Sequence, residues 1–159
     1  MRIAIAIATT LLISTSVPAQ ADEVGGPTIV VARAGSQPSI KGPTDNFTGS
    51  VRVDPLFPAT PSSTVSGGLV TFEPGARSAW HAHPLGQTLV ITSGLGWVKD
   101  WNGQKREMKA GDVVWIPPGV KHWHGASPAA GVSHIAIQQA VDGKNVQWME
   151  KVSDGQYAE

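Results

Sequence analysis

All five histidines of the chain fall between positions 81 and 134, as His81, His83, His122, His124 and His134. Imidazole titrates near neutrality and, when neutral, is the commonest metal ligand, so a cluster of imidazoles points to metal binding, proton transfer or both. Residues two apart in a strand project from the same face. His81 and His83 therefore project together, with Trp80 and Ala82 facing the other way, and two adjacent imidazoles form a chelate for a divalent ion. His122 and His124 repeat the spacing on a later segment, after the turn-forming Pro117-Pro118-Gly119. Gln87 follows Pro84-Leu85-Gly86, a break that returns its carboxamide oxygen to the side of the first pair. A single histidine of this set reads as a hydrogen-bonded surface residue; the spacing of the whole set argues for a site. The chain has no cysteine, which excludes thiolate nucleophiles, disulfides, thiolate zinc sites and iron–sulfur clusters. Any metal must sit on His, Gln, Asp or Glu.

The elements that position these residues are strands. The 18 glycines and 12 prolines interrupt helices and suit short strands joined by turns. β-prone segments are expected at Phe47–Val53, Leu69–Phe72, Thr88–Thr92, Gly96–Trp101, Lys105–Met108, Val113–Ile116, Lys121–His124 and Ser133–Gln138, which makes the chain all-β, a small barrel or sandwich. Asn102-Gly103 predicts a tight hairpin turn with positive φ angles. A short tail, Trp148–Glu159, is expected to be partly helical. His134, Ala136 and Gln138 share one face of the last long segment, and if that face looks inward His134 borders the metal site as a candidate general base. Gln138 is a candidate to orient substrate, and His124 a candidate pocket wall. Gly68 and Val70, two apart on an earlier strand, are candidate pocket-lining residues small enough to leave room for an aromatic substrate. Trp80, Trp115 and Trp123 flank the site residues on the opposite face and read as core and subunit interface.

Charge is balanced, with 12 basic and 12 acidic residues, and no basic stripe marks a nucleic-acid partner. No Gly-x-Ser-x-Gly elbow and no phosphate-cradling glycine loop is present, which leaves serine hydrolases and nucleotide enzymes unsupported. Met1-Arg2, the apolar run from Ile3 to Ile13 and Ala19-Gln20-Ala21 predict a secretory signal peptide over residues 1–21. The apolar run is too short to cross a ~30 Å hydrocarbon core. The mature chain is therefore expected in the periplasm or secreted, with no membrane attachment after cleavage. An N-terminal arm is expected over residues 22–45, including a β-like run at 28–31, and one folded domain over 46–159.

The spacing Gly75-x5-His81-x-His83-x3-Gln87-x6-Gly94, followed by Gly111-x5-Pro117-x-Gly119-x2-His122, resembles the two signature motifs of the cupin superfamily. Gln87 stands where the family has glutamate, and Ala126 where the second motif often ends in asparagine. A narrower resemblance, to the bacterial cupin hydroxynitrile lyases, runs from about Arg33 to Tyr157. It is carried by Gly42-Pro43-Thr44-Asp45-Asn46-Phe47-Thr48-Gly49, Thr71-Phe72-Glu73-Pro74-Gly75-Ala76-Arg77, Trp80 through Thr88, Gly111-Asp112-Val113-Val114-Trp115, Lys121-His122-Trp123-His124-Gly125-Ala126 and Ser133 through Gln138. The resemblance implies a single-domain, jelly-roll-like cupin β-barrel and a divalent metal, foremost Mn2+, with Fe, Co, Ni or Zn as alternatives. It implies His81, His83, Gln87 and His122 as ligands, His134 as catalytic base, a small-molecule substrate of cyanohydrin type such as mandelonitrile, and a homo-oligomer. A neutral Gln87 leaves a divalent ion its full charge and binds it more weakly, so the position reads either as a tuned site or as a degraded one.

Three functions are consistent with these residues. A metal-dependent lyase needs no oxygen and tolerates a redox-inert metal. A cupin dioxygenase acting on an aromatic or diketone substrate consumes oxygen. A non-enzymatic periplasmic binding cupin retains its ligand, and His134→Ala changes its affinity alone.

Overall fold

The structure is a computed structural model that describes residues 28–159. The expected signal peptide, 1–21, and the first residues of the expected arm lie outside the described residues. The chain divides into two units, 1–31 and 32–159. In the first, residues 28–31 are exposed and form no strand, contrary to the β-like reading of their sequence. The second carries twelve strands and one short helix. The strands are β1 (Ile40–Lys41), β2 (Phe47–Thr48), β3 (Val51–Phe57), β4 (Val65–Phe72), β5 (Arg77–Ser78), β6 (His81–Ala82), β7 (Gln87–Asp100), β8 (Arg106–Lys109), β9 (Val113–Ile116), β10 (His122–Ala126), β11 (Val132–Gln139) and β12 (Gln147–Trp148), and the helix is α1 (Asp154–Ala158). All pairings are antiparallel. The expected all-β, barrel-like architecture is what the chain adopts. Among the described residues no helix is long and apolar enough to cross a membrane.

Strand β7 joins the two halves of the curled sheet. Its first half pairs with β11 and β9, and its second half with β10 and β8. The change of partner falls at Gly94, whose φ of 78° and contact with Gly131 exclude a side chain: a Cβ there would lie 1.9 Å from the Gly131 carbonyl oxygen. Two segments that read as separate strands are thus one bent strand. The hairpin from β7 to β8 stands where Asn102-Gly103 places it, but neither residue has positive φ, so the turn is not the tight type expected. The Trp101 N–H donates to the Lys121 carbonyl (2.9 Å) rather than across the hairpin, which opens the connection.

Alternation along β4, β7 and β11 turns one row of apolar side chains inward. Phe72, Leu89, Ile91, Met108, Val132 and Ala136 are the centre of the resulting core, and complete burial of each large one is worth roughly 1.5–3 kcal/mol. The tail closes a second, outer cluster, in which Val152, Met149 and Tyr157 cover Trp80 and Trp123. These two tryptophans are therefore buried by the chain itself and need no partner subunit, whereas Trp115 stays 58% exposed. The helix is too short to stand alone. It begins with a capping box of Ser153 and Gln156 and is tied down from outside. Buried Arg77 donates Nε and Nη2 to the Val152 carbonyl (3.2 and 3.1 Å), and Tyr157 donates its hydroxyl to the Ala126 carbonyl (2.7 Å). Lys105 sits over the Trp97 ring at 3.7 Å and donates to the carbonyls of Tyr157 (2.9 Å) and Ala158 (3.1 Å).

Candidate active site

Register and parity bring His81, His83 and His122 together. His81 on β6 lies opposite His122 on β10, and His83 follows two residues after His81. One ring nitrogen of each lies within 4.8 Å of the others'. All three are buried, and each is pinned through Nδ1 to a backbone carbonyl: His81 to Ala79 (2.9 Å), His122 to Val120 (2.9 Å) and His83 to Asn145 (2.6 Å). A neutral imidazole has one N–H, and in all three rings that proton is committed to a carbonyl, which leaves Nε2 as a lone pair. Burial, with repulsion from His122 next, holds His81 well below its ordinary pKa, and burial lowers His83 and takes His122 down to about 4. At neutral pH all three are neutral imidazoles with a free Nε2 lone pair, the form a metal requires.

Gln87 opens β7 beside them. Its Oε1 lies 3.3 Å from His122 Nε2, so two acceptors face each other, and the buried Nε2 of His83 has no partner. Facing lone pairs in a buried site are relieved by a cation among them. The donor set of three imidazoles and one carboxamide oxygen therefore fits a divalent ion of intermediate softness. Two of the three pinning carbonyls, Ala79 and Val120, belong to residues two before the histidine they hold, which makes their contribution local. The third comes from a residue far along the chain.

The other two histidines form a separate pair. His124 Nδ1 and His134 Nε2 are 3.2 Å apart, and Phe72 packs against both rings, at 5.7 and 5.6 Å. His124 Nε2 and His134 Nδ1 have no partner. Burial holds His124 well below its ordinary pKa, with repulsion from His134 second, and takes His134 down to about 4.

A cavity of about 260 Å³ opens over both groups. Its wall includes every residue read from the sequence as pocket-lining, namely Gly68, Val70, His124 and Gln138, together with His81, His83 and Gln87. His122 and His134 are not on that wall. His134 has no exposed surface and lies behind the wall, against His124. The wall also carries Phe47, Asn145 and Trp148, which sequence reasoning did not single out. Phe47 and Trp148 meet edge-on at 5.5 Å, and Trp148 lies 4.8 Å from the His81 ring. The position of an aromatic residue in the tail could have flagged Trp148. Asn145 holds His83 through its backbone, which leaves no mark in residue type.

Comparison with known proteins agrees with this arrangement. Residues 68–133 match the Cupin domain model. Over 127 residues, 80% of this chain and 97% of the relative, the chain is 58% identical to a protein of Granulicella tundricola named (R)-mandelonitrile lyase. The crystal structure of a cupin-like protein from Thermotoga maritima superposes with a TM-score of 0.70 at 42% identity, covering 74% of this chain and 89% of that one. A cupin 2 conserved barrel domain protein from Rhodopseudomonas palustris, at 19% identity and TM-score 0.60, shares the fold over 71% of this chain and 77% of its own. With both histidine motifs on the curled sheet and a relative this similar along nearly its whole length, the chain belongs to the cupin superfamily.

Proposed function

We propose that the protein is a metal-dependent lyase that cleaves cyanohydrins such as mandelonitrile to an aldehyde and hydrogen cyanide, or forms them in reverse. The observation that carries this reading is the 58% identity to a named (R)-mandelonitrile lyase across 97% of that relative. The site's geometry supports it. His81, His83, His122 and Gln87 would hold the ion, foremost Mn2+, with Fe, Co, Ni and Zn as alternatives that suit the same donors. When bound, such an ion supplies Lewis acidity toward the substrate oxygen and lowers the pKa of the hydroxyl.

The chain's own residues do the rest. Phe47, Val70 and Trp148 receive the aromatic ring, and Gly68 leaves it room. The hydroxyl proton passes to the His124–His134 pair, in which His124 borders the cavity and His134 backs it. With the His124 Nδ1–H donated to His134 Nε2, the His124 Nε2 is bare and accepts the proton. As the oxygen lone pair closes to a carbonyl, the carbon–carbon bond to cyanide breaks and its electron pair leaves on cyanide. The imidazolium then returns the proton to cyanide, giving hydrogen cyanide and restoring the pair. Burial makes that imidazolium a strong acid, which favours the return, and a positioned group of this kind is worth about 10²–10⁴ in rate. The base role read for His134 thus passes to His124 at the cavity wall, and His134 backs it by accepting the His124 Nδ1–H and keeping the His124 Nε2 bare.

Racemic mandelonitrile incubated with the manganese-loaded protein and resolved by chiral chromatography tests the reading. Spontaneous breakdown enriches neither enantiomer, so enrichment supports the lyase. None from a metal-replete protein sinks it for this substrate and turns attention to oxygen uptake. Export to the periplasm or beyond belongs to the same proposal, with residues 1–21 removed and 22–45 as an arm leading into the domain 46–159. N-terminal sequencing of the mature protein should begin at Asp22. A homo-oligomer is also proposed, supported by the exposed Val113 and Trp115 on the outer side of β9, and sedimentation tests it.

A further inference from the structure

We infer that Ser66 and Asn145 are positioning residues which, through Gln138, hold the Gln87 carboxamide with its oxygen toward the three imidazoles. The inference rests on the metal-binding part of the function proposed above.

A carboxylate presents an oxygen to a cation whichever way it turns. A carboxamide does not. Its oxygen and its NH2 group are nearly the same size and opposite in polarity, so a half-turn would aim two N–H donors at the ion. A glutamine in a ligand position therefore needs a neighbour that distinguishes its two ends. The sheet supplies one as a single row across three strands, because Gln138 on β11 lies opposite Ser66 on β4 and opposite Gln87 on β7.

The polarity of that row runs one way. The Ser66 hydroxyl accepts from Gln138 Nε2 (3.1 Å) and from Asn145 Nδ2 (3.3 Å), and its proton points to the Gln138 backbone carbonyl (3.5 Å). Both lone pairs and the proton of Ser66 are thus committed. With its amine end on Ser66, Gln138 can only present Oε1 to Gln87, and Gln87 Nε2 donates to it at 3.4 Å. Gln87 Oε1 is left on the site side, 3.3 Å from His122 Nε2. The Gln87 side chain also interacts with that of His83, so its site-side end meets two of the three imidazoles. Asn145 contributes twice, since its backbone carbonyl also takes the Nδ1–H of His83 at 2.6 Å. One loop residue therefore bears on the orientation of two ligands, His83 just after β6 and Gln87 at the start of β7.

The test is a double-mutant cycle read by calorimetric titration of Mn2+ into the full chain, with no substrate present. Ser66→Ala should weaken Mn2+ binding about 10-fold, the lower end of what loss of an orienting partner costs a metal site, and Ser66→Thr, which keeps the hydroxyl, should restore it. In the Gln87→Glu background, where neither oxygen needs choosing, Ser66→Ala should change affinity by less than about twofold. Equal losses in the two backgrounds would make Ser66 a packing residue and overturn the inference, as would no loss beside Gln87. Absence of saturable Mn2+ binding to the unmodified protein would instead sink the metal reading itself and the inference with it. Thermal unfolding of each metal-free variant separates a folding defect from a loss of orientation.

Discussion

His122 and His124 stand two residues apart on β10 and face the same way, yet they are held by opposite means. His122, like His81 and His83, gives its one proton to a backbone carbonyl, so its remaining nitrogen is always a lone pair. His124 is paired with His134, another imidazole, and either ring of that pair can be the donor. A carbonyl accepts and never donates, which freezes a tautomer. An imidazole does both, which leaves the proton free to move between two positions. The same side chain on the same strand is thereby made a ligand in one place and a proton carrier in the other, by what its Nδ1 meets.

The largest effect should come from breaking the frozen group. His122→Ala removes one of three lone pairs and should weaken Mn2+ binding by at least about 100-fold, with enantiomer enrichment lost and partly regained at high metal concentration. Titration calorimetry and chiral chromatography on the same preparation check both. Breaking the mobile group should have the complementary signature. His134→Ala should lower turnover by about 10²–10⁴ while leaving Mn2+ affinity within about threefold of the unmodified protein. Equal loss of metal in both variants would erase the division of labour.

Acid distinguishes the two groups more finely. The pKa of His134 falls from 6.5 to about 4 on folding, so between those values the unfolded chain binds a proton that the folded chain refuses. Stability is therefore complete above pH ~6.5 and declines as the pH falls toward 4, by ~1.4 kcal/mol per pH unit for each such imidazole. Urea unfolding of the metal-free protein at pH 7 and 5 should show the decline, and His134→Ala should make it shallower by one imidazole's share, the other four buried histidines keeping theirs. Added Mn2+ should protect the ligand histidines from acid without altering the contribution of the pair. The smallest effect is expected at the rim. Trp148→Ala should raise KM for an aromatic cyanohydrin several-fold, leave that for a small aliphatic one nearly unchanged, and not touch metal affinity, since lost apolar contact area is its main consequence.

The faces of the site were legible in the sequence because strands alternate. His81 with His83, His122 with His124, and His134 with Gln138 each follow from a period of two, and Gln87 from a turn that sends the chain back. Depth was not legible. That His134 lies behind His124 depends on Phe72 and on the register of β11 against β4, which no local pattern encodes. Asn145 acts on His83 through a carbonyl common to every residue, so its identity carries no signal for that contact. The loosened turn at Asn102-Gly103 failed as a prediction because a distant carbonyl, that of Lys121, takes the hydrogen bond the tight turn would have needed. Trp80 and Trp123 read as core and subunit interface, and they are core; nothing in the last residues showed that it is the tail that folds back over them.

The placement of Trp148 has an optical consequence. Its indole lies 4.8 Å from the His81 ring and is 36% exposed, while Trp80 and Trp123 are sealed in the outer cluster. An excited indole in contact with a protonated imidazole or a paramagnetic ion loses its energy without emitting, and a half-solvated indole emits to the red of a buried one. The share of the red-edge emission that comes from Trp148, which it divides with the more exposed Trp101 and Trp115, should therefore dim as Mn2+ enters, while the blue edge from the sealed tryptophans holds steady. The ratio of the two reports occupancy of the site with no added dye.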